Sequence, residues 1–312
     1  MAESPLVSVV TPSFNQGPFI EETILSVKNQ SYPNIEHIIM DGGSTDNTLD
    51  IVRKYEGTYK MRWVSGPDGG QSDAINKGWR QATGEILCWL NSDDIYPPSS
   101  VSAAVRFLQA NSETSLVYGD CDTIDERGEV TGKCLAYDFD LEKILCKENM
   151  VPQPASFWRR EVLDRAGFLD VGLHYAMDLD YWIRASLAGL RLEYLPQTLA
   201  AFRVYPATKT ETGGYKAALE RLAIIEKVFA RNDLSSQVRA LKGRAYSRAH
   251  HLIGVNYHMQ DRMNEARKHL CRAVRYRPLN VFNLSIIAHW LTSFPGRRSL
   301  DLLIRMKSRL VR

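Results

Sequence analysis

The sequence predicts an α/β domain built on a mostly parallel sheet, followed by a basic region made of helices. Two observations carry this. Through the first hundred residues, short apolar runs alternate with segments whose apolar residues recur at helical spacing. Charge also changes sign along the chain: residues 1–214 hold 19 Lys and Arg against 30 Asp and Glu, net −11, whereas residues 215–312 hold 20 against 6, net +14. Gly213-Gly214 is the natural seam between the two parts. A chain of 312 residues suits about two domains and buries a core without covalent staples.

The elements follow in order. The run 6–10 is a strand that ends at Thr11-Pro12, and Ile20, Ile24 and Val27 then follow at helical spacing after Asn15 and Gly17. Run 37–40 precedes a helix carrying Leu49, Val52 and Tyr55; run 61–64 precedes a helix around 74–82; run 85–90 is the fourth strand. Such alternation winds right-handed into a parallel sheet, and ligands bind beyond the carboxyl ends of the strands.

Composition narrows the class. Hydrophobic residues at 44% and charged residues at 24% describe a soluble globular chain. Apolar stretches such as 86–90 and 285–291 fall far short of the about 18 residues that span a bilayer, and Glu3 does not suit a signal peptide, so a cytoplasmic protein is expected. Five cysteines, never spaced C-x-x-C, read as reduced structural residues.

The loops after the four strands carry the chemistry. They read Thr11-Pro12-Ser13-Phe14-Asn15, Asp41-Gly42-Gly43-Ser44-Thr45-Asp46, Gly66-Pro67-Asp68-Gly69-Gly70 and Asn91-Ser92-Asp93-Asp94. No dinucleotide fingerprint or Walker loop is present, which disfavours dehydrogenases and P-loop NTPases. Three of the loops bring carboxylates, which approach a phosphate only through a divalent cation, so a diphosphate bridged by Mg²⁺ or Mn²⁺ is the economical reading. Ser44, Thr45 and Asp46 suit a helix cap, but Asp41, directly after a buried run, suits the N3–H of a uracil or thymine base. Asp178 opens a helix whose Leu179, Trp182, Ile183, Leu187 and Leu190 share one face; spacing alone favours a cap there over a general base.

Taken with Asp73-Ala74-Ile75-Asn76-Lys77-Gly78 and Ala176-Met177-Asp178-Leu179-Asp180-Tyr181-Trp182, these motifs stand in an order that resembles family 2 glycosyltransferases over about the first two thirds of the chain. The resemblance implies a Rossmann-like glycosyltransferase-A fold over residues 1–214, a nucleotide-diphosphate-sugar donor and inversion at the anomeric carbon. Carried over by position, it implies donor binding by Thr11, Pro12, Ser13, Asn15, Asp41, Asp68, Lys77, Asn91 and Ser92, metal binding by Asp93, and Asp178 as the base. Gln153 and Trp158 fall where relatives line the acceptor cleft, though Trp158 equally suits a core. Two departures stand out. Asn91 replaces the first carboxylate of the usual D-x-D and faces the ribose in one reading, and Tyr205 stands where many relatives carry a metal-binding His.

From Ser247, the residues His250, Ile253, Gly254, Tyr257, Ala266, Leu270, Ala273 and Pro278 match the spacing of one tetratricopeptide repeat, which equally describes a plain helical hairpin. The tail pairs Ile286, Ile287, Trp290, Leu291, Leu300, Leu303 and Ile304 with Arg297, Arg298, Arg305, Lys307, Arg309 and Arg312, a pattern for an anionic membrane surface or for packing on protein. Aromatics do not interleave with Arg as a nucleic-acid platform requires, so no nucleic-acid partner is expected. Two functions remain. One is an inverting glycosyltransferase using a UDP-sugar on a glycan or lipid-linked glycan. The other is a catalytically weak nucleotide-sugar-binding or scaffold protein acting through its helices.

Overall fold

The structure, a computed structural model, describes residues 4–294, the side chain of Thr210 excepted. Its elements run β1 (Val7–Ser13), α1 (Ile20–Lys28), β2 (Ile35–Asp41), α2 (Thr48–Tyr55), β3 (Met61–Ser65), α3 (Gln71–Gln81), β4 (Ile86–Trp89), α4 (Ser100–Ala110), β5 (Leu116–Ile124), β6 (Val130–Cys134) and α5 (Leu141–Cys146). There follow β7 (Ser156–Arg159), α6 (Arg160–Ala166), α7 (Met177–Leu187), β8 (Leu192–Arg203), α8 (Lys209–Phe229), α9 (Ser236–Ala240), α10 (Lys242–Met259), α11 (Met263–Tyr276) and α12 (Leu284–Thr292). Two compact units result: residues 1–140 with 149–211, and residues 141–148 with 212–312. Helix α8 runs through Gly213 but breaks at Gly214, whose backbone is non-helical.

The first unit is one mixed sheet in the order β3-β2-β1-β4-β7-β5-β6, with β8 added beside β5. The pairs β1/β2, β1/β4, β2/β3 and β5/β8 are parallel; β4/β7, β5/β7 and β5/β6 are antiparallel. Strands β1 and β2 are buried along their whole length, as central strands covered on both faces must be. On one side Ile20, Ile24, Ile51 and Val52 from α1 and α2 pack with Ile39. Helix α3 comes close to β1 at Gly78, where an added Cβ would lie 2.4 Å from Val10 Cγ1. The chain proceeds from β1 outward through β2 and β3, then returns to β4 on the other flank of β1. The carboxyl ends of β1 and β4 therefore frame the switch point at which such sheets open a crevice.

In the second unit α10 and α11 form the hairpin read from the sequence. Ile253, Ala266, Leu270 and Ala273 are fully buried, and Gly254 admits Leu270 so closely that a Cβ would meet its side chain at 2.8 Å. No helix among the described residues is long and apolar enough to cross a membrane. Leu300, Leu303, Ile304 and the arginines from Arg297 onward lie outside the described residues.

Candidate active site

Lateral hydrogen bonds knit the strand ends. Gly42 N donates to Ser13 O (2.8 Å) and Gly66 N to Asp41 O (3.0 Å). The loops after β1 and β2 are stitched as well: Asn15, at φ 52°, donates its N–H to Ser44 Oγ (2.7 Å) and accepts Thr45 N–H on Oδ1 (2.9 Å). Asp46 accepts Gly17 N–H and Thr48 N–H, both at 3.0 Å, and so starts α2. The hydrogen bond from Thr48 Oγ1 and those two N–H groups hold its carboxyl below the usual range against the opposing effect of burial.

Asp41 lies almost fully buried between Ser13 and Ser65. Its Oδ2 accepts Gly43 N (3.0 Å), Ser44 N (2.9 Å) and Ser65 Oγ (2.6 Å), while Oδ1 accepts the Ser44 hydroxyl. The carboxylate therefore organises its own loop, and Oδ1, with one donor, retains acceptor capacity. Ser13 Oγ is buried and makes no hydrogen bond among the described residues, which suits a group awaiting a ligand. Pro12 and Ser92 are buried at the strand ends. Thr11 departs from expectation: its Oγ1 bonds His37 Nε2 (2.8 Å) inside the core, and burial holds that imidazole neutral by lowering its pKa to about 3, so the hydroxyl is spent internally.

Asp68 Oδ1 accepts Gly70 N (2.7 Å), just ahead of α3. Lys77 bridges one turn back to Asp73 (2.8 Å), and that hydrogen bond, followed by one from Gly69 N–H, lowers the Asp73 pKa.

An amide chain crosses the end of β4. Lys209 Nζ donates to Gln71 Oε1 (2.6 Å), Gln71 Nε2 to Asn91 Oδ1 (2.7 Å), and Asn91 Nδ2 to both Asp94 Oδ2 (3.0 Å) and Gln153 Oε1 (3.1 Å); Gln153 Nε2 closes on Trp89 O (2.7 Å). Both N–H groups of Asn91 are thus committed within the protein, while its Oδ1, with one donor, retains acceptor capacity. Asp94 is buried and also accepts Arg203 N–H (3.0 Å) on Oδ1; burial, then the charge of Asp93, raises its pKa well above the ordinary value. Asp93 is raised too, by burial, against the hydrogen bond from Tyr205 Oη to Oδ2 (3.1 Å) and the charges of Arg203 and Lys209. The Tyr205 hydroxyl, pushed up to about 12 by burial and then by Asp93, stays a donor at neutral pH.

The donor set bears on a cation. Among the described residues no three His, Cys, Asp or Glu side chains gather to hold one. Asp93 alone offers a carboxylate at this edge with one oxygen committed to a neutral hydroxyl. That suits Mg²⁺ or Mn²⁺ carried mainly by substrate oxygens and water, which needs only one or two protein carboxylates, and does not suit an all-protein cage.

Asp178 is the second residue of α7, half-buried, and its Oδ2 accepts Asn149 Nδ2 (2.9 Å). Two positions on, Asp180 is instead consumed by Arg184 (2.7 Å). The helix is fixed one turn later by Trp182, stacked 5.8 Å from Trp89 of β4. Trp79, Trp158 and Tyr181 complete a buried cluster of five rings joining α3, β4, β7 and α7. Trp158 is fully buried there, which corrects its placement at an acceptor cleft; Gln153 remains at the edge, beneath Asn91.

Sequence reasoning missed Gln71, Asn149, Lys209 and Arg203. Only Arg203 left a local signal: like Asp41, it is a charged residue at the end of an apolar run, here 199–202 of β8. Its guanidinium pairs Glu22 (2.5 Å) and holds Asp93 O (3.0 Å).

The mixed, mostly parallel sheet with its flanking helices has the glycosyltransferase-A fold, as solved structures bear out. Staphylococcus aureus TarS, residues 1–349 in complex with UDP-GlcNAc, matches with a TM-score of 0.72 at 17% identity, covering 97% of this chain and 92% of that one. The mannosyltransferase PcManGT of Pyrobaculum calidifontis, in complex with GDP-Man and Mn²⁺, matches with a TM-score of 0.64 at 19% identity, covering 94% and 88%. Residues 8–166 match the family model for glycosyl transferase family 2, and the chain belongs to that family. An uncharacterized glycosyltransferase of Mycobacterium tuberculosis is 35% identical over 190 residues, 60% of this chain and 71% of that protein. A PGL/p-HBAD biosynthesis glycosyltransferase of Mycobacterium bovis is 29% identical over 206 residues, 65% and 78% of the two chains.

Proposed function

We propose that this glycosyltransferase inverts the anomeric centre while moving a sugar, of the hexose or N-acetylhexosamine class, from a UDP-sugar to a hydroxyl of a glycan or lipid-linked glycan in cell-surface polysaccharide synthesis. Its place of work is the cytoplasm, at the inner membrane face when the acceptor is lipid-linked. The observation that carries this reading is the coupling of two carboxylates through one rigid core: Asp178 lies one helical turn before Trp182, Asp93 four residues after Trp89, and those two rings stack.

In this mechanism Asp178, oriented by Asn149, takes the proton of the acceptor hydroxyl as its oxygen attacks the anomeric carbon. The bond from that carbon to the diphosphate breaks, and its electron pair leaves with UDP. Asp41 Oδ1 accepts the uracil N3–H, while Ser13, Asn15, Asp68 and Ser92 line the donor side. Asp93 would hold Mg²⁺ or Mn²⁺ together with the donor, and the cation would supply positive charge at the leaving diphosphate. Lys77 and Lys209 are the protein's own cations on that side. The TarS complex contains UDP-GlcNAc, which supports a uridine donor; the PcManGT complex contains GDP-Man and is the natural competitor.

Calorimetric titration with UDP and GDP, each with Mn²⁺ and with EDTA, tests the donor assignment. UDP is expected to bind more tightly than GDP and to weaken when the cation is removed. Tighter binding of GDP would overturn the uridine assignment, and equal UDP affinity in EDTA would overturn the role given to Asp93.

A further inference from the structure

Among the described residues, the second unit presents a surface that their packing leaves uncovered. After α11 the chain makes a short 3-10 turn, Pro278–Phe282, and enters α12, whose N-terminus is capped by Asn283 Oδ1 accepting Ser285 N–H (3.0 Å) and Ile286 N–H (3.3 Å). Helix α12 docks through Ile286, buried against Leu270 and Ala273, so this residue leaves the tail's exposed apolar face. The side chains around it stay outside. Leu279, Phe282 and Leu284 are 70%, 78% and 80% exposed, and Leu291 and Phe294 more than half. Leu284, Ile287, Leu291 and Phe294 follow at i, i+3, i+7 and i+10, one stripe along the helix and just past its end. Trp290 meets Phe294 edge-on at 5.0 Å, and the Arg267 guanidinium lies 4.8 Å over the Phe294 ring.

Charge identifies the partner. Residues 266–300 contain seven Lys and Arg and no Asp or Glu. Lys268, Arg272, Arg275 and Arg277 of α11 and its C-terminus are exposed. An anionic bilayer calls for both parts together, an apolar stripe to enter the acyl boundary and a one-signed basic flank to meet the headgroups.

We propose that the surface formed by Leu279, Phe282, Leu284, Leu291 and Phe294, with its basic flank, docks the protein onto anionic lipid. The apolar side chains enter the acyl boundary, Trp290 sits at headgroup level, and the arginines and lysines face lipid phosphates. This deepens the lipid-linked reading above, since such an acceptor is met at a bilayer, but it stands on different residues.

Flotation of the full chain with vesicles of equal parts phosphatidylglycerol and phosphatidylcholine, and with phosphatidylcholine alone, tests it. Flotation with the anionic vesicles at low salt, lost at about 0.5 M salt, is expected. Combining Leu284→Asp with Leu291→Asp is expected to lower the bound fraction about tenfold or more, with UDP binding unchanged. Failure of the intact chain to float, or equal flotation of the double variant, overturns the proposal. So does flotation that survives the double substitution and disappears on deletion of residues 295–312. A chain that binds UDP without floating loses only this inference; one that floats without binding a nucleotide loses only the proposed reaction.

Discussion

Replacing Asn91 with Asp restores the carboxylate of the usual D-x-D, yet the surrounding contacts predict a less stable protein. Asn91 gives its two N–H groups to Asp94 Oδ2 (3.0 Å) and Gln153 Oε1 (3.1 Å). Gln153 has no freedom to turn over, because its Nε2 holds Trp89 O (2.7 Å). The bond from Gln71 Nε2 survives the substitution, but both donations become contacts between oxygens. Each buried acceptor left unpaired costs about 1–3 kcal/mol, so the loss without a cation is about 2–6 kcal/mol. Its pH dependence has a definite sign. A second carboxylate against buried Asp94, whose pKa burial and Asp93 already raise, is relieved by one proton shared between positions 91 and 94. A carboxyl raised on folding keeps its stabilising proton at low pH and loses it as pH rises, so the deficit grows above the unfolded value of about 4. Urea unfolding of Asn91→Asp in EDTA, followed by tryptophan fluorescence, reads this directly, since five of the six tryptophans lie in the first unit. The midpoint should fall below that of the natural protein, by more at pH 8 than at pH 5, and Mn²⁺ should restore part of it. Superimposable curves at pH 8 in EDTA, or a deficit equal at both pH values, would refute the reasoning.

Trp158→Ala should destabilise the first unit by about 3–5 kcal/mol, because the ring is fully buried among Trp79, Trp89, Tyr181 and Trp182; a loss under about 1 kcal/mol in urea unfolding would contradict that packing. In the second unit burial lowers His250 and His251 to about 4, so both stay neutral when folded while the unfolded chain titrates near 6.5. Stability is therefore full above that value and declines towards pH 4, by about 1.4 kcal/mol per pH unit for each histidine. A circular-dichroism Tm for the helical part that is unchanged between pH 7.5 and 5 would show that these imidazoles are already accessible to protons.

Legibility in the sequence followed the range of the contacts. Local periodicity suffices for β1 to β4 and their helices: the run 37–40 lies inside Ile35–Asp41, and Ile20, Ile24 and Val27 are the buried face of α1. The carboxylates after those strands fall at the carboxyl edge of the sheet because their position depends only on where each strand ends. The hairpin of α10 and α11 was legible for a similar reason, since a small residue must stand where two helices cross, as Gly254 does against Leu270. The second half of the sheet was not. Strands β5 to β8 mix parallel and antiparallel pairing, and β8 joins β5 across more than 70 residues, which no local pattern encodes. The same limit applies within the site. Asn91 reads as a loop residue until Gln71, 20 positions before it, and Gln153, 62 after it, consume its amide. Lys209 reaches Gln71 across 138 positions, and the burial of Trp158 depends on rings from three other elements.

Asp178 as the base that deprotonates the acceptor is the point on which the proposed reaction turns, and single-turnover transfer by Asp178→Asn tests it most directly. Asparagine keeps the size of the side chain and its contact with Asn149 Nδ2 but takes up no proton. The variant should bind UDP within a few-fold of the natural protein and transfer sugar about a hundredfold more slowly or worse. Transfer at near-natural rate would remove Asp178 from the chemistry and leave it as a first-turn carboxylate of α7 bonded to Asn149.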